Sequence, residues 1–160
     1  MNTLSDIKIL KHISEDYIII LKEIFEDNET KKYLPELYLL IDKNDGILDL
    51  ILTFNLYAEK GEGYLWGIHY DNKLLGFIAI MDLSSNPIIF YAMHPAYRSQ
   101  GYMKNSISAI INFLKENKLS YKISTDVYKN NKISIHILQQ LGFNIYKEDN
   151  KKVYMLKLLT

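Results

Sequence analysis

The sequence predicts a single α/β domain over residues 1–160, with a mixed, mostly antiparallel sheet flanked by helices. Three observations carry that expectation. Near Gly63 the apolar period changes from helical to strand-like. Between Gly63 and His94, three aromatic or β-branched runs are separated only by short turn clusters, the pattern of an antiparallel meander. Beyond Gly101 a helical stretch, a strand, a second helix and a hairpin follow with almost no linker between them.

Each element has a local reason. A strand is expected around Ile7 to Ile9, then a helix from about Glu15, with Ser14 as its N-cap and Glu15 and Asp16 set against the helix dipole. "ETKKYLPELYLLI" and "GILDLILTFNLYAEK" read as helical, broken by Pro35 and by the turn "KNDG" at residues 43–46. "GYLWGIHY", "LLGFIAIMDL" and "IIFYAMHP", joined by "DNK" and "SSNP", form the meander. From Gly101 the apolar residues Met103, Ile107, Ile110, Ile111 and Leu114 recur at helical spacing. In "YKISTDVY", Ile123, Thr125 and Val127 alternate with Lys122, Ser124 and Asp126, which is strand periodicity. A helix from about Asn131 to Leu141 follows, and Gly142 ends it as a left-handed cap would. "FNIYKEDNKKVYMLKLL" closes the chain as a hairpin across "EDNK".

Composition narrows the function. With 48% hydrophobic and 24% charged residues, the chain falls among soluble globular proteins and can bury a core without staples. Nineteen basic and nineteen acidic residues cancel, so no global field draws in nucleic acid or an anionic membrane. An anionic ligand must then be held by local geometry. Absent cysteine removes disulfides, thiolate nucleophiles and sulfur-ligated metal. His12, His69, His94 and His136 are scattered without metal-ligand spacing, so no metal is expected. Apolar runs fall far short of the roughly 20 residues that span a bilayer. Asp6, Lys8 and Lys11 interrupt any targeting pattern at the start, and a cytoplasmic location is expected.

The most informative segment is "HPAYRSQGYMKNSISAIINFLKEN", residues 94–117, which holds the only arginine, Arg98. It reads as a strand end, a tight loop and an amphipathic helix. Gly101 lets backbone approach a ligand closely and can take positive φ. Arg98, Ser99 and Gln100 place three consecutive N–H groups near a helix start, where the dipole also favours negative charge. That suits a phosphate or pyrophosphate. The same five residues, "YRSQG", would equally serve as a plain strand-to-helix turn with a solvated arginine.

"RSQGYM", "TDVYKNNKIS" and "LQQLGF", in that order, resemble the GCN5-related N-acetyltransferase (GNAT) superfamily over roughly residues 64 to 158, nearest to members that acetylate ribosomal-protein N-termini. The resemblance implies a GNAT-like fold and acetyl-CoA as co-substrate, its pyrophosphate cradled by Arg98, Ser99, Gln100, Gly101, Tyr102 and Met103. Asn131 and Ser134, on a helix ending in Gly142 and Phe143, would form the other wall. The backbone N–H near Met93 would polarise the thioester, and the pantetheine arm would run between the strand ending at Met93 and the strand holding Val127. The implied reaction is direct attack by a primary amine, on a small molecule or a protein N-terminus, in a ternary complex. The alternative is a non-catalytic acetyl-CoA-binding sensor or interaction module.

Two positions depart from the family pattern. Met103 replaces the usual small residue and would pack beneath the loop. Leu138 stands seven residues after Asn131, where many members carry the tyrosine that protonates the departing thiolate; leucine cannot do so, and the acid is unassigned. Asp126 matches the position of a glutamate proposed as base and would act through an ordered water; otherwise it is a polar residue on a half-buried strand. His94 is a rival base, and Tyr91 and Tyr128 are acids or aromatic walls. Lys104, Lys129 and Lys132 flank the cofactor site, where solvation is the default for lysine. The acceptor end is expected to be covered by the helices of residues 14–58 and by Tyr64 and Trp66, with Asp45, Asp49, Glu59 and Glu62 available to meet a cationic amine.

Overall fold

The computed structural model describes residues 6–9 and 15–160. Strand β1 (Asp6–Ile9) is followed by four helices, α1 (Glu15–Glu26), α2 (Asn28–Tyr33), α3 (Pro35–Ile41) and α4 (Gly46–Glu59). The meander β2 (Tyr64–Tyr70), β3 (Lys73–Met81) and β4 (Ile88–Met93) comes next. A single 3-10 turn, Pro95–Tyr97, then leads to α5 (Tyr102–Glu116), β5 (Lys122–Tyr128), α6 (Lys132–Gln140), β6 (Asn144–Glu148) and β7 (Lys152–Leu158). The expected N-cap Ser14 lies outside the described residues.

Local chemistry sets the breaks. Asp27 caps α2 by accepting from the Thr30 N–H at 3.1 Å, and Pro35 occupies the first turn of α3, where its missing N–H costs nothing. Asn131 stands just outside α6 as its N-cap, accepting from Ser134 N–H, so the helix begins one residue later than its apolar pattern suggests. Gly142 ends the helix at φ +92°, a value that would strain any other residue.

The strands form one sheet in the order β1-β2-β3-β4-β5-β7-β6, antiparallel except for the parallel pair β4–β5. Alternating side chains bury a separate core on each face. Leu21, Phe25, Ile51, Phe54 and Phe77 pack the face carrying α1 and α4. Ile78, Ile107, Ile110, Leu138 and Phe143 pack the face carrying α5 and α6. Each such fully buried side chain contributes about 1.5–3 kcal/mol of transfer free energy. The five apolar positions read along α5 are all on its buried stripe.

Tyr64 and Trp66 correct the expectation that they cover the acceptor end. They stack on each other and meet Phe113 of α5 edge-on, so they belong to the α5 side of the sheet. Residues two apart on a strand share a face, and the register Trp66↔Ile78 puts that face on the α5 core.

Candidate active site: a wedge between two parallel strands

The parallel pair β4–β5 holds together only at its start. Ile88 pairs with Ser124, the Ser124 N–H donates to the Pro87 carbonyl at 2.8 Å, and the Thr125 hydroxyl donates to the Ile89 carbonyl at 2.9 Å. Beyond Ile89 the strands part. The carbonyls of Pro87 and Ile89 face β5, so alternation turns the backbone polar groups of Tyr91 and Met93 the same way, into the opening. His94 confirms the parity, since its own N–H donates to Leu75 of β3 at 2.7 Å. The wedge is therefore lined by strand backbone that the sheet leaves unused, and it opens into a cleft of about 500 Å³.

The wide end of this cleft is the loop before α5. Ser99 at φ +62° and Gly101 at φ +83° both adopt left-handed backbone, which bends the loop tightly around the start of the helix. Among the described residues, none accepts a hydrogen bond from the N–H groups of Ser99, Gln100 or Gly101. Orphan donors beside a fifteen-residue helix dipole form an electropositive concavity. Met103 is buried under the loop in the α5 core, as its size required.

Arg98 does something the sequence did not suggest. Its guanidinium contacts Asp27 at 2.6 Å, Glu29 at 2.7 Å and the Thr30 hydroxyl at 3.2 Å, tying the loop to the start of α2. It is not a solvated arginine: it lines the cleft while its guanidinium is held by α2. Burial alone would raise the Asp27 carboxyl, but the bonds from Arg98 and Thr30 outweigh it and hold it below the usual carboxylate range. Thus the loop offers its backbone to a ligand while its arginine anchors the loop. The arginine's pairing with a residue 71 positions away left no mark in the sequence.

The remaining residues fall on defined parts of the cleft. Asn131 and Ser134 line the α6 wall, with the Asn131 side-chain oxygen committed to capping. The Ser134 hydroxyl is bonded to the Tyr91 hydroxyl across the wedge. Burial pushes Tyr91 up to about 12, only partly offset by Ser134, so it stays protonated at neutral pH. Tyr128 lies elsewhere: its hydroxyl donates to Glu36 at 3.2 Å, and burial raises it, with the Glu36 carboxylate adding to the effect. His94 caps the 3-10 turn by accepting from the Ala96 N–H, its other nitrogen meets Glu23 at 2.8 Å, and it lines neither this cleft nor the cavity under α3 and α4. Leu138 is wholly buried in the α6 core, far from any role as a proton donor. Lys104 lines the cleft, whereas Lys129 lies 3.9 Å from Glu148 of β6.

Asp126 points to the face opposite Val127, as strand alternation required, and lines two cavities at once. One is the cofactor-sized wedge. The other, of about 530 Å³, lies under α3 and α4. One Asp126 oxygen accepts from Lys152 of β7 at 2.8 Å, and the Lys152 ammonium also meets Glu36 at 3.4 Å. Burial would lower that lysine, but Asp126 and Glu36 outweigh it and raise it above its ordinary value. Sequence reading missed Glu36 and Lys152: the β5–β7 register sets Lys152 opposite Tyr128 and near Asp126, and α3 brings Glu36 to it. Of the four acids expected near an amine, only Asp49 lines the second cavity; Glu62 instead holds Ser84. Among the described residues, no three metal-ligating side chains cluster, and no helix is long and apolar enough to cross a membrane.

Comparison with known proteins agrees with this geometry. No curated protein matches the chain by sequence. Among solved structures, the ribosomal L7/L12 α-N-protein acetyltransferase RimL in complex with coenzyme A superposes with a TM-score of 0.81 at 12% identity, over 98% of this chain and 95% of that one. A spermidine N-acetyltransferase from Vibrio cholerae, in complex with CoA and spermine, gives 0.79 at 12% identity over 99% and 97%. The Campylobacter jejuni N-acetyltransferase PseH, in complex with acetyl coenzyme A, gives 0.72 at 18% identity over 98% and 100%. At such identities the likeness is one of fold. The decisive match is a family model described as an acetyltransferase (GNAT) domain, which covers residues 8–144. A splayed parallel pair, an orphan-donor loop and that match lead to one conclusion: the chain belongs to the GNAT acetyltransferase family and is an acyltransferase.

Proposed function

We propose that the protein transfers the acetyl group of acetyl-CoA to a primary amine, by direct attack in a ternary complex. The observation that carries this reading is the wedge itself, where unused strand backbone leads to unused loop N–H groups. The pantetheine amides would complete the edges of β4 and β5, and the pyrophosphate would sit on the N–H groups from Ser99 to Met103, with Tyr102 and Lys104 beside it. Asn131 and Ser134 would bound the arm on the α6 side. The neighbouring structures with coenzyme A and acetyl coenzyme A support this choice of co-substrate.

The thioester carbonyl would lie against the splayed edge of β4, where the Met93 N–H faces the opening and can bond the oxygen as it gains negative charge. The amine lone pair attacks the carbonyl carbon, the C–S bond breaks, and the amine nitrogen sheds a proton as the thiolate gains one. Asp126 would receive the amine proton through an ordered water. One of its oxygens is already shared with Lys152, so only the other is available. Buried Leu138 donates nothing and the Tyr91 hydroxyl is engaged with Ser134, so solvent would supply the thiolate's proton.

Thermal unfolding with acetyl-CoA, against ATP and NAD at equal concentration, tests the co-substrate. Ligand at 100 times its Kd adds about 2.7 kcal/mol, a rise of several degrees. A rise specific to acetyl-CoA, followed by amine-dependent release of free CoA thiol, is expected. Equal shifts with all three nucleotides, or none, would overturn the reading.

A further inference from the structure

The second cavity, of about 530 Å³, meets the wedge at Phe90, Asp126, Tyr33 and Leu34, which line both. An occupant would therefore present one end to Asp126 and, beyond it, to the thioester end of the wedge. Resting on the acetyl-transfer reading above, we propose that this cavity is the acceptor site and that it selects amines carrying a single positive charge on an apolar body.

The argument is one of charge and lining. Three carboxylates border the cavity, Glu36, Asp49 and Asp126, and two ammonium groups, Lys43 and Lys152. The cations are already spoken for, Lys43 at 3.8 Å from Asp49, and Lys152 at 2.8 Å from Asp126 and 3.4 Å from Glu36. Three negative charges less two positive leave a surplus of one, enough for one arriving ammonium, which passes a proton to solvent through the free Asp126 oxygen before its nitrogen attacks. Its natural seat is beside Asp126 and Glu36, the two carboxylates that share one lysine between them. Most of the remaining wall is apolar, with Leu37, Leu50, Phe54, Tyr57 and Phe90 facing the space. A second or third ammonium on the same acceptor would lie against that wall unpaired, which is costly.

Lys152 acts here as a resident counter-ion. It lies 4.7 Å from the centre of the Tyr128 ring, and its two carboxylate partners keep it protonated, so it serves as a fixed charge and not as a nucleophile. It therefore consumes carboxylate charge that a polycation would otherwise use.

The test is CoA-thiol release by the full chain, at saturating acetyl-CoA, with 2-phenylethylamine, leucinamide and spermidine. The expected result is a kcat/KM for either monoamine at least about tenfold above that for spermidine, the equivalent of one modest ionic contact. Lys152→Met, and independently the exposed Lys43→Met, would each unmask one carboxylate and move the ratio toward spermidine by about tenfold. The Lys43 variant removes an exposed side chain and so keeps the test valid if Lys152→Met misfolds. Spermidine preferred by the wild type, or ratios unmoved in a folded variant, would overturn the selectivity while leaving acetyl transfer intact. No turnover with any amine, despite an acetyl-CoA-specific thermal shift, would overturn the acetyl-transfer reading and this inference with it.

Discussion

Replacing Arg98 by alanine separates two roles that a loop arginine can play. If the guanidinium gripped phosphate, the variant would lose cofactor affinity and keep its stability. The structure predicts the reverse. Arg98 makes a charge-assisted bond to Asp27 with both side chains mostly shielded, 27% and 19% exposed, plus a bond to Thr30 and a more exposed contact to Glu29. Hydrogen bonds to charged groups contribute about 1.5–3 kcal/mol each, and exposed ion pairs about 0–1. Discounting for partial exposure, the whole latch is worth about 2 kcal/mol, or about 4–8 °C in Tm for a domain of this size. Acetyl-CoA affinity should fall by less than about tenfold, because the loop N–H groups survive the substitution. Differential scanning fluorimetry and calorimetric titration measure the two quantities on the same sample. A double-mutant cycle with Asp27→Asn should recover most of the 2 kcal/mol as coupling. An unchanged Tm together with a loss of affinity beyond a hundredfold would refute this reasoning and return the guanidinium to the pyrophosphate. The cycle also has a pH signature. The Asp27 carboxyl is held below its unfolded value, so its contribution is present above that value, near pH 4, and is lost as pH falls through the folded pKa. The Tm difference between wild type and Arg98→Ala should therefore shrink in that acidic window.

Gly101→Ala should cost about 1 kcal/mol in stability and raise the KM for acetyl-CoA, because a residue at φ +83° is strained by any Cβ and the loop must shift its N–H groups to relieve it; steady-state kinetics read the effect. Tyr91→Phe should cost about 1 kcal/mol and leave neutral-pH turnover within a few-fold, since its hydroxyl is already bonded to Ser134. The wild-type Tyr91 contribution is fully present below pH 10 and lost as pH rises through 12, so the Phe variant should show a flatter alkaline stability limb in urea titrations. Leu138→Tyr should restore no activity and should destabilise by about 1–3 kcal/mol through overpacking, because that position has no exposure at all; a gain in kcat would show instead that the side chain can reach the wedge.

Much of the fold was legible because it rests on local pattern. The three runs between Gly63 and His94, the stripe from Met103 to Leu114 and the alternation through Val127 each report burial on one face, and burial on one face is what a short-range period encodes. The loop before α5 was legible for a similar reason: Gly101, a helix start and three successive N–H groups are neighbours in sequence, so their convergence needs no distant partner. The left-handed cap at Gly142 belongs to the same class, whereas Asn131, read as about the first helical residue, proves to be the cap. By contrast, Tyr64 and Trp66 had the right composition for a pocket wall, and only the β2–β3 register and the packing of α5 placed them on the other side.

What the sequence by itself determined is therefore the element order, the two apolar faces of the sheet and the loop that leaves its donors free, because these depend on residues within a few positions of one another. Tertiary structure alone decided where charge meets charge. Arg98 finds Asp27 across 71 positions, and Lys152 finds Asp126 across 26 and Glu36 across 116. No periodicity records such pairs, since a long flexible side chain reaches whichever opposite charge the fold brings within 4 Å, and nineteen cations facing nineteen anions leave the choice open until the sheet register closes it.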